Sequence, residues 1–192
     1  MPPVFYEMKN SVIGIAGLGG LGSNVAVALA RVGAGKLIIA DFDVVEESNL
    51  TRQHYFLDQI GRAKVDATAE NISRINPDTR IQMHRVRLTP ENIPMIFAEA
   101  DVVAECFDLA EQKQMLVETV LSRMQRPVVV SVSGLAGYGN SNAIKTRRIS
   151  PRHILVGDGE TEARPGIRLT ASRVGVAAYH QANAITEVII NI

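Results

Sequence analysis

Ile13-Gly-Ile-Ala-Gly17-Leu-Gly19-Gly20-Leu-Gly22-Ser23-Asn24 sets a glycine-rich turn where an apolar strand hands over to an apolar helix. In such a turn Gly17 allows the tight bend, Gly19 lets backbone approach a phosphate, and Gly22 permits close helix–strand packing. Gly20 belongs to the same cradle. The unpaired N–H groups at the start of the Ser23 helix then point at an anion, aided by the helix dipole. Upstream, Val12–Ala16 reads as a strand. Downstream, Ser23–Val32 is apolar nearly all round, as a helix packed on a sheet should be. Leu37-Ile-Ile-Ala-Asp41 closes a second strand with an acid about 20 residues past the turn, where ribose hydroxyls are expected. Glycines at a strand–helix turn are often purely structural. Strand, helix and acid together favour a nucleotide.

Working outward, Lys36–Ala40, Arg80–Val86, Asp101–Cys106 and Pro127–Val132 read as further strands. Gly61–Ile75, Leu109–Met124 and Arg173–Ile190 read as helices between or after them. That alternation predicts an α/β fold of the Rossmann type, a mainly parallel sheet with helices on both faces. Residues 1–192 are expected to form one domain. The stretch 134–172 is rich in glycine and arginine and has little periodicity. It is too long for an ordinary connection, so it is read as a functional crossover segment with short strands.

Bulk composition narrows the function classes. Twenty basic and twenty acidic residues give a net charge of +0, which argues against a nucleic-acid partner held by general electrostatics. No apolar run is long enough for a membrane span. MPPVFYEMKN lacks the pattern of a signal peptide, and the one cysteine forms no intrachain disulfide. A cytoplasmic setting is expected.

After the second strand comes Asp41-Phe-Asp43-Val-Val-Glu-Glu-Ser48-Asn49-Leu-Thr-Arg52-Gln53. A dinucleotide site predicts nothing special there. Arg52 supplies a planar fork suited to phosphate oxygens, and Asn49 and Gln53 supply neutral donors. Gly61-Arg-Ala-Lys64 follows, with a lysine in the first turn of a helix, where the dipole disfavours it. Either Lys64 lies on a solvated helix face or it faces an anion. A nicotinamide-dependent oxidoreductase would explain Gly17 to Asp41 and leave the run from Asp43 to Lys64 without a purpose.

These three motifs, in this order and spacing, closely resemble the ThiF/MoeB/HesA family, prokaryotic relatives of ubiquitin-activating enzymes. Ala100-Asp-Val-Val-Ala-Glu-Cys-Phe-Asp108 and Gly175-Val-Ala-Ala-Tyr-His-Gln181-Ala-Asn-Ala-Ile-Thr-Glu187 extend the likeness from about Val12 to the C-terminus. The length is most similar to the short ThiF members, which adenylate the thiamine-pathway sulfur carrier ThiS. The resemblance implies ATP-dependent adenylation of the C-terminal glycine carboxylate of a small ubiquitin-like carrier with a Gly-Gly tail. It implies that Arg52 and Lys64 neutralise phosphates with help from Asn49 and Gln53. It also implies that Asp41 binds ribose and that Asp108 holds Mg2+. Asp43 is a weaker candidate. An N-cap on the helix from Leu109 is the alternative role for Asp108. Carriers of molybdopterin or cysteine pathways remain alternatives to ThiS, and tRNA-modifying dehydratases also resemble the family.

The chain departs from its relatives in three respects. It has no C-x-x-C pairs, so no zinc is expected. No cysteine lies between Gly134 and Ser172, and Cys106 sits inside a predicted strand, so it reads as a core residue. Sulfur would then come from a separate donor protein. The N-terminal arginine that relatives place near a neighbour's ATP is missing, with only Lys9 in the first eleven residues. His54, His84, His153 and His180 show no metal spacing. Arg147, Arg148, Arg164 and Arg168 either guide an extended carrier tail or lie on a solvated loop. The apolar face of Ala177–Ile190 suggests an interface, and a homodimer with two ATP sites is expected.

Overall fold

The computed structural model describes residues 3–163 and 166–191. Its strands are β1 (Val12–Ala16), β2 (Lys36–Ala40), β3 (Arg80–His84), β4 (Val102–Glu105), β5 (Val128–Val132), β6 (Lys145–Ser150) and β7 (His153–Gly157). They form one sheet in the order β3-β2-β1-β4-β5-β7-β6. Every pairing is parallel except that of β6 with β7. The inner strands are apolar on both sides, as strands covered on both faces must be.

The helices are α1 (Pro3–Asn10), α2 (Gly20–Val32), α3 (Lys64–Ile75), α4 (Ile93–Ile96), α5 (Ala110–Arg123) and α6 (Ala171–Ile190). Residues of α2 and α6 pack with one face of the sheet in a core around Ile13, Leu29, Val130 and Ile185. On the other face Phe97, Leu116 and Val120 pack against Ala16, Ile38 and Val103. This is the layered arrangement expected from the sequence. Chain order runs outward from β1 to β3 on one side and resumes at β4 on the other. The crevice beyond the carboxyl ends of β1 and β4 is therefore a topological switch point, where ligands bind in folds of this kind.

Some boundaries move from their expected places. The helix read as Gly61–Ile75 begins at Lys64, because Gly61 has a positive φ of 85° and the chain before it forms a 3-10 turn over Leu57–Gln59. The third strand stops at His84 rather than Val86. The segment 134–172 holds the strand pair β6–β7, which adds to the parallel sheet through β7. Arg147 and Arg148 lie on the exposed edge strand β6, and Arg168 is exposed. Arg164 lies outside the described residues.

The apolar face of α6 is a correction to the interface reading. Ala177, Ala178, Ala184, Ile185 and Val188 are buried within the chain, leaving Tyr179 and Ile190 as its exposed apolar side chains. That face is consumed by the protein's own core. No helix among the described residues is long and apolar enough to cross a membrane.

Candidate functional site

A cleft of about 690 Å³ opens at the carboxyl ends of the central strands. Its floor is the glycine turn. Gly17 has a φ of +90°, which an L side chain rarely adopts. A Cβ at Gly22 would lie 1.9 Å from the Gly17 carbonyl oxygen, so the helix can seat on the turn only if position 22 has no side chain. α2 starts at Gly20 with no side-chain cap, leaving first-turn N–H groups for a ligand. At Gly19 and Gly20 the missing side chains open the cradle towards Gln53 Nε2 and Arg52 Cγ, each 3.8 Å from where a Cβ would be.

Two side chains strap this turn from outside the motif. Asp41 Oδ2 accepts from the Leu18 N–H at 2.6 Å, and its Oδ1 accepts from the Asp43 N–H at 2.8 Å. Tyr55 donates its hydroxyl to the Leu18 carbonyl at 2.7 Å. Burial pushes the Tyr55 hydroxyl's pKa well above its usual value, so it stays a donor. Nothing in the sequence marked Tyr55. Its role follows from a fold that brings residue 55 back over residue 18.

The polar run after β2 forms one wall. Arg52 caps the 3-10 turn Glu47–Thr51, donating to the Ser48 carbonyl at 3.2 Å and to Thr51 Oγ1 at 3.3 Å. It makes no ion pair among the described residues, which leaves its charge available. Asn24 Nδ2 donates to the Arg52 carbonyl at 3.1 Å and ties the wall to α2. Gln53 Oε1 is buried without a hydrogen-bond partner, an orphan of the kind a ligand satisfies. Lys64 is buried, and its Nζ lies 3.1 Å from Asp43 Oδ2. It does not lie on a solvated helix face, and the anion it meets is the protein's own Asp43 carboxylate.

The opposite wall follows β4 and β5. Asp108 is exposed and lines the cleft; no hydrogen bond engages its carboxylate among the described residues. The N-cap of α5 is Leu109, without side-chain capping, so Asp108 does not serve as that cap. Cys106 is buried, and burial together with the neighbouring Glu105 carboxylate pushes its thiol far above the normal range. A thiolate nucleophile is not available there. Glu105 is fully buried, and both its oxygens lie 3.1 Å from Lys113 Nζ on α5. Arg87, Lys113, Ser133 to Ala136 and Thr161 to Ala163 are among the rest of the lining.

Gly17, Gly19, Gly20, Asp41, Asp43, Arg52, Gln53, Lys64 and Asp108 thus share one cleft, although they come from four separate stretches of sequence. Gly22 and Asn49 are not on its lining. Gly22 carries the helix–turn contact, and Asn49 Oδ1 accepts from the Glu46 N–H at 3.1 Å, closing its own 3-10 turn. His54 is also off the lining. Burial, with Arg31 nearby, holds its pKa below the usual value. No group of three or more metal-ligating side chains occurs among the described residues. Asp41 and Asp43 also line the cleft but are engaged with backbone N–H groups and Lys64, so a metal here would draw on Asp108 and take its other ligands chiefly from phosphates and water, which suits Mg2+.

The ThiF family matches the chain over residues 4–192. Among curated proteins, the probable adenylyltransferase/sulfurtransferase MoeZ of Mycobacterium tuberculosis is 40% identical over 104 residues, 53% of this chain and 26% of MoeZ. The adenylyltransferase and sulfurtransferase uba4 of Aspergillus niger is 35% identical over 134 residues, 69% of this chain and 27% of uba4. The chain thus spans about a quarter of the length of these relatives. In fold it is similar to the E. coli tRNA N6-threonylcarbamoyladenosine dehydratase TcdA, solved in complex with ATP. The TM-score is 0.88 at 22% identity, covering 99% of this chain and 90% of TcdA.

Proposed function

This chain belongs to the ThiF family, and from that premise we propose that it binds ATP in this cleft and adenylates the C-terminal glycine carboxylate of a small ubiquitin-like carrier. The observation that carries the reading is the convergence of Arg52, Lys64 and Asp108 on one cleft over the glycine turn. A carrier of the ThiS type, serving thiamine biosynthesis, is the proposed substrate. A separate protein supplies sulfur, because the buried Cys106 offers no thiolate. A cytoplasmic homodimer is the proposed working form.

The chemistry joins two anions. A carboxylate oxygen forms a bond to the α-phosphorus, the bond to the β,γ-phosphates breaks, and pyrophosphate leaves with the electron pair. Alignment and charge neutralisation carry such a reaction. The first-turn N–H groups of α2 hold phosphate oxygens. Arg52 and Lys64 neutralise them, and the unpartnered Gln53 Oε1, an acceptor, takes a hydroxyl or N–H donor from the ribose or base of the same nucleotide. Asp41, one oxygen on each side already holding backbone, presents its remaining lone pairs to ribose hydroxyls. Asp108 would hold Mg2+, which supplies Lewis-acid neutralisation of the triphosphate.

ATP–pyrophosphate exchange tests the assignment. Exchange is expected to need the carrier and Mg2+ and to fall to background in Arg52→Ala and in Lys64→Ala. Full exchange in both variants would remove these residues from the site. Mass spectrometry of the carrier after incubation with ATP should show its AMP adduct.

A further inference from the structure

Glu105 lies within the Ala100–Asp108 stretch, and Lys113 lines the same cleft from α5, although neither was singled out for the site. Glu105 ends β4 with no exposed surface, and its carboxylate is a junction. Oε1 accepts from the Phe107 N–H at 2.7 Å, Oε2 accepts from the Val132 N–H at 3.3 Å, and Lys113 Nζ reaches both oxygens. One side chain thereby joins the end of β4, the turn towards Asp108, the end of β5 and the first turn of α5. Gln181 of α6 adds to the same junction, donating from one nitrogen to the Glu105 and Val130 carbonyls at 2.9 and 2.8 Å. A lysine in the first turn of a helix opposes the helix dipole, so Lys113 sits there at a cost that its buried partner offsets.

We propose that Lys113 is a positioning residue: clamped on Glu105, it fixes the Phe107–Asp108 turn and so aims the unpaired Asp108 carboxylate at the metal–nucleotide site. This rests on the ATP reading above. The two buried junctions of the cleft differ in kind. Lys64 pairs with Asp43, which is half exposed and can turn to water, whereas Glu105 has no exposure and is held by two backbone donors. Lys113 is therefore locked in place while Lys64 can change partners. Burial favours the protonated form of Glu105, and the Lys113 charge opposes it. Without that ammonium the buried carboxyl group keeps only its two backbone donors, and its place in the junction is no longer held from α5. The turn carrying Asp108 loses an anchor, an effect separate from any contact that Lys113, which also lines the cleft, makes with the ligand.

The test is metal binding rather than turnover. Mn2+ stands in for Mg2+ and is titrated by electron paramagnetic resonance into protein saturated with a non-hydrolysable ATP analogue; analogue binding is measured separately in EDTA. Lys113→Met should weaken Mn2+ about tenfold while leaving metal-free nucleotide affinity within about twofold. In a Glu105→Gln background the same substitution should add little, because the two act as one unit. Lys113→Gln, which keeps a donor to Glu105, carries the test if the Met variant does not fold, and should show a smaller loss of the same kind. Unchanged Mn2+ affinity, or an equal loss of metal-free nucleotide affinity, would overturn the positioning role alone. Absence of nucleotide-dependent Mn2+ binding in the unsubstituted protein would overturn it together with the ATP reading.

Discussion

Replacing Asp158 by asparagine should cost stability by a calculable amount and change how stability depends on pH. Asp158 follows β7, where the chain turns back over the cleft. Oδ1 accepts from the N–H groups of Glu160 and Thr161, both at 2.9 Å. Oδ2 accepts from the Thr161 hydroxyl at 2.8 Å and from Arg173 Nη2 at 2.6 Å. Arg173 Nη1 donates to the carbonyls of Gly139 and Asn140, each at 2.7 Å, so the pair ties two segments of the crossover region to α6. Burial alone would weaken the acid. The two N–H donors, the Thr161 hydroxyl and the Arg173 guanidinium outweigh it and bring the pKa from 3.8 to about 2. At about 1.4 kcal/mol per tenfold in acidity, that drop is worth about 2 kcal/mol. The folded-state value is the lower one, so the contribution is complete above pH 4 and is lost as pH falls through 2. About half should be gone by pH 3.

At neutral pH the asparagine variant should lose about 3 kcal/mol, because it also strands the buried Arg173, whose Nε already lacks a partner. The chain has no tryptophan, so urea unfolding followed by far-ultraviolet circular dichroism is the assay. Between pH 5 and 3 the unsubstituted protein should lose about 1 kcal/mol more than the variant, since the other carboxylates titrate alike in both. Equal losses over that range, or a variant less than about 1 kcal/mol weaker at neutral pH, would refute the reasoning.

Three more outcomes are expected. Gly22→Ala should cost at least about 3 kcal/mol or give insoluble protein, because its Cβ meets a carbonyl oxygen at 1.9 Å; soluble, fully stable protein would mean that α2 seats differently. Tyr55→Phe should lose about 1 kcal/mol in urea unfolding, with the Leu18 carbonyl left short of a donor, and weaken ATP binding severalfold in calorimetry. Cys106 should resist alkylation at pH 8 until urea unfolds the chain; rapid labelling of the native protein would contradict its burial and its weakened acidity.

How far the sequence could be read depended on the distance over which each feature is determined. The glycine turn, β1, β2 and the helix after the turn are set by neighbours within a few residues, and they appear close to where the pattern put them. Arg52, Lys64 and Asp108 were legible because their motifs are local, although their convergence is a property of the sheet order. Pairings between distant residues left no local trace. Glu105 read as one more strand residue, and nothing in the sequence singled out Lys113 as its partner. Asp158 and Arg173 likewise pair across a separation that no local pattern marks. Short strands were expected within 134–172 but not placed: β6 is an exposed edge strand, which needs no apolar alternation to mark it. The face of α6 misled for the converse reason: a helix covered by its own sheet has the same composition as one awaiting a partner.

The ion pair between Lys64 and Asp43 also governs how an anion enters. The ammonium does not wait bare in the cleft. It carries an internal counterion that the arriving ligand must evict, and Asp43 is exposed enough to be rehydrated cheaply once released. Measured affinity therefore reports an exchange of one negative charge for another, with the protein's own carboxylate as the standing competitor. A monovalent anion gains little from that trade. A polyvalent one gains much, so the cleft discriminates by ligand charge before any contact with base or sugar is made.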